Sequence, residues 1–121
     1  MERITIEVGG TPRPFHFGVG FIGRMLDALD TDLKGFQTAV AKNPFKVVPM
    51  MMLESHKLAA YLDDTEPALT KVDILKFMDA DGGIPGPNVQ KFLNAFSESQ
   101  NRDTPPPKKA RPKTAKRPKT N

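Results

Sequence analysis

The 121-residue chain has no cysteine, no tryptophan, one tyrosine and two histidines. Without thiols there is no disulfide to staple a small fold and no thiolate metal site, a composition that fits a reducing compartment. The two histidines, His16 and His56, show no H-x-x-x-H spacing. Neither has the Ser/Asp companions that would suggest a catalytic triad. No stretch approaches the roughly eighteen apolar residues that a membrane span needs. The opening MERITIEVGG carries acids and lacks the apolar core of a secretory signal. These absences predict a soluble, non-enzymatic protein without cofactor or metal, held in the cytoplasm where it is made and without a membrane partner.

Charge is present but unevenly placed. The formal net charge is +4, yet residues 102–121 alone hold eight Lys/Arg and one acid, a net of +7 that leaves −3 for residues 1–101. The basic character therefore belongs to the end of the chain, and any nucleic-acid argument rests on that segment. It is built of Pro, Lys, Arg and Thr, with no apolar surface to offset the entropy of ordering it. The expected organisation is a globular α-rich domain over 1–100 and a disordered basic tail over 101–121. Lys108, Lys109, Arg111, Lys113, Lys116, Arg117 and Lys119 are the candidate cations of a phosphate-binding or partner-seeking arm. Such an arm would bind nucleic acid without sequence preference and with steep salt dependence. It has no aromatic residue to stack on a base.

Length allows one domain. Ile4, Ile6 and Val8 alternate with Arg3, Thr5 and Glu7, the period-two pattern of a strand with one buried face. Gly9-Gly10 supplies the positive-φ residues of a tight hairpin. Phe15 and Phe17 flank His16 in the return strand, where Pro12 and Pro14 place the stretch at an edge or make it irregular. From Val19 to about Lys42 the period becomes helical: Phe21, Ile22, Met25, Leu26, Leu29 and Leu33 form one stripe, with Gly35 as a break or bend. Asn43-Pro44 reads as a stop and a restart. A further helix is expected over Pro49–Leu62, with one stripe of Met51, Met52, Ser55, Leu58, Ala59 and Leu62. A second stripe holds Met50, Leu53, Ala60 and Tyr61. A helix apolar on two sides either lies at the centre of the fold or meets a partner. Met50, Leu53 and Tyr61 are the candidate partner-binding residues, and His56, on the polar side, is expected to be solvated. Thr70 and Asp73 suggest a capped helix over Thr70–Met78. Residues 79–87 read as a loop, and Val89, Phe92, Leu93 and Phe96 mark a last amphipathic helix. The fold class is α+β, mostly α, with an N-terminal β-hairpin and about four helices before the tail.

Two motifs invite chemistry and fail on context. Gly18-Val19-Gly20-Phe21-Ile22-Gly23 matches the dinucleotide fingerprint, but its strand belongs to a hairpin and residues 38–43 offer no acid for a ribose. Its plainer meaning is a Gly-rich turn with close packing. Asp79 and Asp81 mimic the start of a calcium loop, but Ile84 stands where glycine is needed and Gln90 where the bidentate Glu belongs.

Taken in order, Ile4-Thr5-Ile6-x-Val8-Gly9-Gly10, Phe15-His16-Phe17-Gly18-Val19-Gly20-Phe21 and the helix of Met25-Leu26-Asp27-Ala28-Leu29 resemble the tail assembly chaperones of long-tailed, siphovirus-type bacteriophages. The likeness spans the first hundred residues. It implies a non-enzymatic viral protein of the host bacterial cytoplasm, absent from the mature virion, that coats the tape measure protein and keeps it soluble. It further implies recruitment of the tail tube protein, for which many members carry a frameshifted extension. Self-association would be in keeping, and six methionines would suit an adaptable partner surface. The basic, Pro-rich tail departs from the family pattern. The competing readings are a nucleic-acid-associated protein using that tail as an arm and another virion-assembly or adaptor module.

Overall fold

Two strands open the chain, β1 (Arg3–Val8) and β2 (Thr11–His16), paired antiparallel in the register Ile4↔Phe15, Ile6↔Arg13, Val8↔Thr11. Gly9 and Gly10 turn between them with φ of 64° and 82°, a left-handed pair that residues with a Cβ seldom adopt. A two-residue turn makes Val8–Thr11 a hydrogen-bonded pair, and the pattern alternates from there. Glu7↔Pro12 and Thr5↔Pro14 are then non-bonded pairs, so neither proline costs the ladder a donor. The bond from Phe17 N–H to the Glu2 carbonyl, one step beyond the strands, has the same parity.

Five helices follow among the described residues: α1 (Val19–Leu29), α2 (Leu33–Lys42), α3 (Pro44–Leu62), α4 (Lys71–Asp81) and α5 (Pro87–Asp103). The computed structural model describes residues 2–103, with side chains described as far as residue 100. The architecture is α+β, mostly α, as the periodicities predict. The expected domain limit at 100 falls inside α5. The basic arm expected beyond it, with its candidate cations Lys108, Lys109, Arg111, Lys113, Lys116, Arg117 and Lys119, lies outside the described residues.

Three helix boundaries differ from expectation. The stretch 19–42 divides at Asp30–Asp32 instead of bending at Gly35, which raises the helix count to five. Asp30 takes a left-handed conformation (φ 52°), and the Asp32 carboxylate accepts the Gly35 N–H at 2.8 Å, capping α2. Gly35 is thus inside the first turn of α2, where a Cβ would run into the Thr31 side chain. Helix α3 begins at Pro44, not Pro49, and Pro49 sits buried within it. An interior proline costs about 3 kcal/mol. The turn is already set by Lys46 and Val47 N–H bonding the Asn43 carbonyl. Val47 and Val48, both about 1% exposed, offset the cost at roughly 1.5–3 kcal/mol each. Helix α4 runs on to Asp81, shortening the expected loop, and Gly82 ends it with φ 104°.

The centre is aromatic. Phe17 meets Phe21, Phe92 and Phe96 at ring-centroid distances of 5.5, 5.1 and 5.8 Å, each edge to face. Phe15 reaches Phe92, and Phe36 joins through Phe21 and Phe96. One set of rings therefore ties the hairpin to α1, α2 and α5, each pair adding about 0.5–1.5 kcal/mol beyond burial. Met25, Met51, Met52 and Met78 are core residues, so most of the methionines fill the interior instead of forming an adaptable surface.

Candidate functional site

Helix α3 carries the residues singled out as a partner surface. At 100° per residue, its buried side chains from Val47 to Ala60 cover a continuous arc of about 220°. Strand β2 and helices α1, α2 and α4 all pack around it, so two-sided apolarity here reflects a central helix. The remaining arc holds Met50, Leu53, Glu54, Lys57 and Tyr61. Met50 and Leu53 are half-buried and packed against the core. Tyr61, by contrast, is 76% exposed. Leu62, expected on the buried stripe, is also exposed because the helix ends there. The structure thus brings the three candidates onto one side of α3, with charge between them. Glu54 accepts from Arg24 Nε of α1 at 2.9 Å and lies 3.7 Å from Lys57 Nζ.

His56 overturns its expectation. It is 3% exposed and joins three segments. Its Nδ1 lies 3.0 Å from the Pro14 carbonyl, and its Nε2 lies 3.0 Å from Ala68 N–H in the α3–α4 connection. A carbonyl can only accept and a backbone amide can only donate, which requires the neutral Nδ1–H tautomer. Burial holds the imidazole below its ordinary 6.5; the Arg13 charge acts in the same direction, and the Pro14 carbonyl opposes. The reason is register. Pro14 stands in a non-bonded pair, so its carbonyl points off the ladder toward α3, where His56 meets it. On the other face, Arg3 reaches His16 Nδ1 at 3.4 Å and pairs with Asp63 at 2.8 Å, fastening the hairpin to the end of α3.

The rejected motifs have structural roles. Gly20 faces Leu58 closely enough that a Cβ would lie 3.3 Å from its Cδ1, so this glycine lets α1 approach α3. The sheet of the described residues has only the two antiparallel strands. The Asp81 carboxylate accepts Asn88 N–H, Asn88 Nδ2 and Val89 N–H at 2.9–3.0 Å and so caps the start of α5. Among the described residues no group of three His, Asp or Glu is arranged to hold a metal ion. No helix there is long and apolar enough to cross a membrane.

One residue escaped the sequence reading. Arg13 shares the core-facing side of the sheet with Phe15, and its Nε is buried with no hydrogen-bond partner among the described residues. Its parity with Phe15 and Phe17 is the signal that could have revealed it. It lines a cleft of about 430 Å³ between the hairpin turn and α4, together with Val8, Leu69, Asp73, Lys76 and Phe77. Comparison with protein-family models, curated proteins and solved structures found no match to this chain.

Proposed function

We propose that this protein is a tail assembly chaperone of a long-tailed bacteriophage, a non-enzymatic factor that binds the tape measure protein and keeps it soluble until tail tube subunits assemble around it. The observation that carries the reading is where the resemblance falls in the fold. Ile4–Gly10 and Phe15–Phe21 form the hairpin and lead into α1, and a helical remainder follows. Exposed apolar residues on the helices, Phe45, Tyr61, Leu62, Val72 and Leu75 among them, offer surface that a long helical client would cover.

Co-expression with the tape measure protein of the same genome tests it. The soluble yield of the client should rise. The complex should also survive about 0.5 M salt, since apolar burial at roughly 25 cal/mol per Å² is insensitive to screening. No gain in client solubility would refute the proposal. The charge of residues 102–121 favours a second reading, a nucleic-acid-binding arm. It predicts binding to duplex DNA that falls by orders of magnitude across the same salt range.

A further inference from the structure

Arg13 is an anomaly of placement. A core-facing position on β2 is ordinarily apolar, and a buried guanidinium donor without an acceptor is costly. The groups around it do not resolve the cost. None of the ion pairs among the described residues involves Arg13. The acid lining the cleft, Asp73, feels the Arg13 charge but makes no ion pair with it, and its Oδ2 accepts Thr70 N–H at 2.8 Å and Thr70 Oγ1 at 3.0 Å in the cap of α4. Lys76 adds a second cation to the same rim, so the cleft carries a net positive charge around an apolar floor of Val8, Leu69 and Phe77.

We propose that this cleft is a binding site for an acidic–apolar peptide segment of another protein. One bulky aliphatic side chain would enter against Leu69 and Phe77, and a Glu or Asp carboxylate would sit against the cations of the rim, the Arg13 guanidinium and Lys76. The floor supplies apolar burial, and the rim charges supply orientation, the usual division of labour in a small concave site. A charge-assisted bond is roughly twice as strong as a neutral one, which favours a carboxylate over a neutral side chain there. Charge also decides what does not fit. The chain's own segment 102–121 is strongly basic and would be repelled, which excludes it as the occupant. The inference does not depend on the chaperone proposal, since it names a side-chain pattern and not a client.

The test is a titration of the isotope-labelled full chain, followed by amide NMR. The probes are acetyl-Leu-Ala-Ala-Glu-amide, its Gln and Lys counterparts, and hexanoate as a free carboxylate on an apolar tail. The Glu peptide should shift the amides of Val8, Gly9, Leu69 and Phe77. It should bind about tenfold or more tightly than the Gln and Lys peptides, as expected for a bond to a charged group. Arg13→Met keeps the length and apolar volume of the side chain, removes its charge, and should fold while sharply reducing the preference for Glu. Lys76→Gln, at an exposed position of α4, should weaken binding of the Glu peptide several-fold, roughly the value of one surface charge, and serves if Arg13→Met does not fold. Four results would each overturn the proposal: no shifts at the cleft, equal affinity for the three peptides, a Glu preference surviving both variants, or hexanoate binding as tightly as the Glu peptide.

Discussion

Replacing His56 by alanine should markedly destabilise the fold. The substitution strands the Pro14 carbonyl and the Ala68 amide, each 3.0 Å from a ring nitrogen in a part-buried bond. A fully buried group left unsatisfied costs about 1–3 kcal/mol, less where water reaches it, and the lost ring, which packs on Phe15 at 5.7 Å, leaves a void. The sum is about 2–4 kcal/mol, a large share of the 5–15 kcal/mol typical of a domain. His56→Phe refills the void and should recover part of that, isolating the hydrogen-bond contribution. The same bridge sets a pH dependence. Because burial lowers the His56 pKa in the folded state, the unfolded chain takes up its proton first. Stability is therefore complete above the ordinary value of 6.5. It declines as pH falls from there through the lower folded value, since the protonated ring can no longer accept from Ala68. His16 is shifted the same way, by burial and then by Arg3, so urea unfolding is best compared in a His16→Gln background between pH 8 and 5. A cost below about 1 kcal/mol for His56→Ala, with an unaltered pH profile, would refute the bridge.

Other substitutions probe the remaining joints. Met50→Ala and Leu53→Ala, half-buried on α3, should cost about 1–3 kcal/mol, less than the 2–5 kcal/mol of a fully buried site. Tyr61→Ser should leave urea unfolding within about 0.5 kcal/mol while lowering tape measure solubilisation in the co-expression assay. Gly86→Ala would force a Cβ into the Asp81 carboxylate and carbonyl and break the cap of α5, lowering stability by about 1–3 kcal/mol in thermal melts. Thr70→Ala removes a capping box and should cost about 1 kcal/mol at neutral pH. Its Asp73 partner is held below the ordinary 3.8 by the Thr70 bonds, so the penalty should shrink as pH falls below 3.8 and the carboxylate is protonated.

What could be read from the sequence was what is decided locally. Gly9-Gly10, the alternation of β1, the Thr70/Asp73 box and the Val89–Phe96 stripe each act within a few residues, and the structure keeps all four. The failures share another cause. Gly35 looked like a breaker, but the Asp32 side chain bonds its N–H and moves the break upstream. Pro49 looked like a helix start, but burial of Val47 and Val48 outweighs the lost backbone bond. His56 looked solvated because a helical wheel shows one helix alone. The acceptor and donor that make its burial favourable lie 42 and 12 residues away. Arg13 was hidden behind the prolines beside it, which drew the reading toward an irregular edge.

The geometry of α3 also limits how the proposed client could be held. With about 220° of its circumference buried, the helix has only a narrow outward arc, and midway along its length that arc is charged. Arg24, Glu54 and Lys57 form a linked set there, with the Glu54 side chain only 18% exposed. A client laid lengthwise along α3 would have to cover this set, and burying ionised groups costs more than their mutual attraction returns unless every bond is kept. Met50 and Leu53, on the N-terminal side of the charges and already packed inward, have little surface left to give. Tyr61 and Leu62 lie past the charges, at the end of the helix, and both are exposed. Contact through α3 is therefore favoured end-on, at its C-terminus. A lengthwise apolar contact must be sought on α4, where Val72 and Leu75 stand three residues apart on one face and remain exposed.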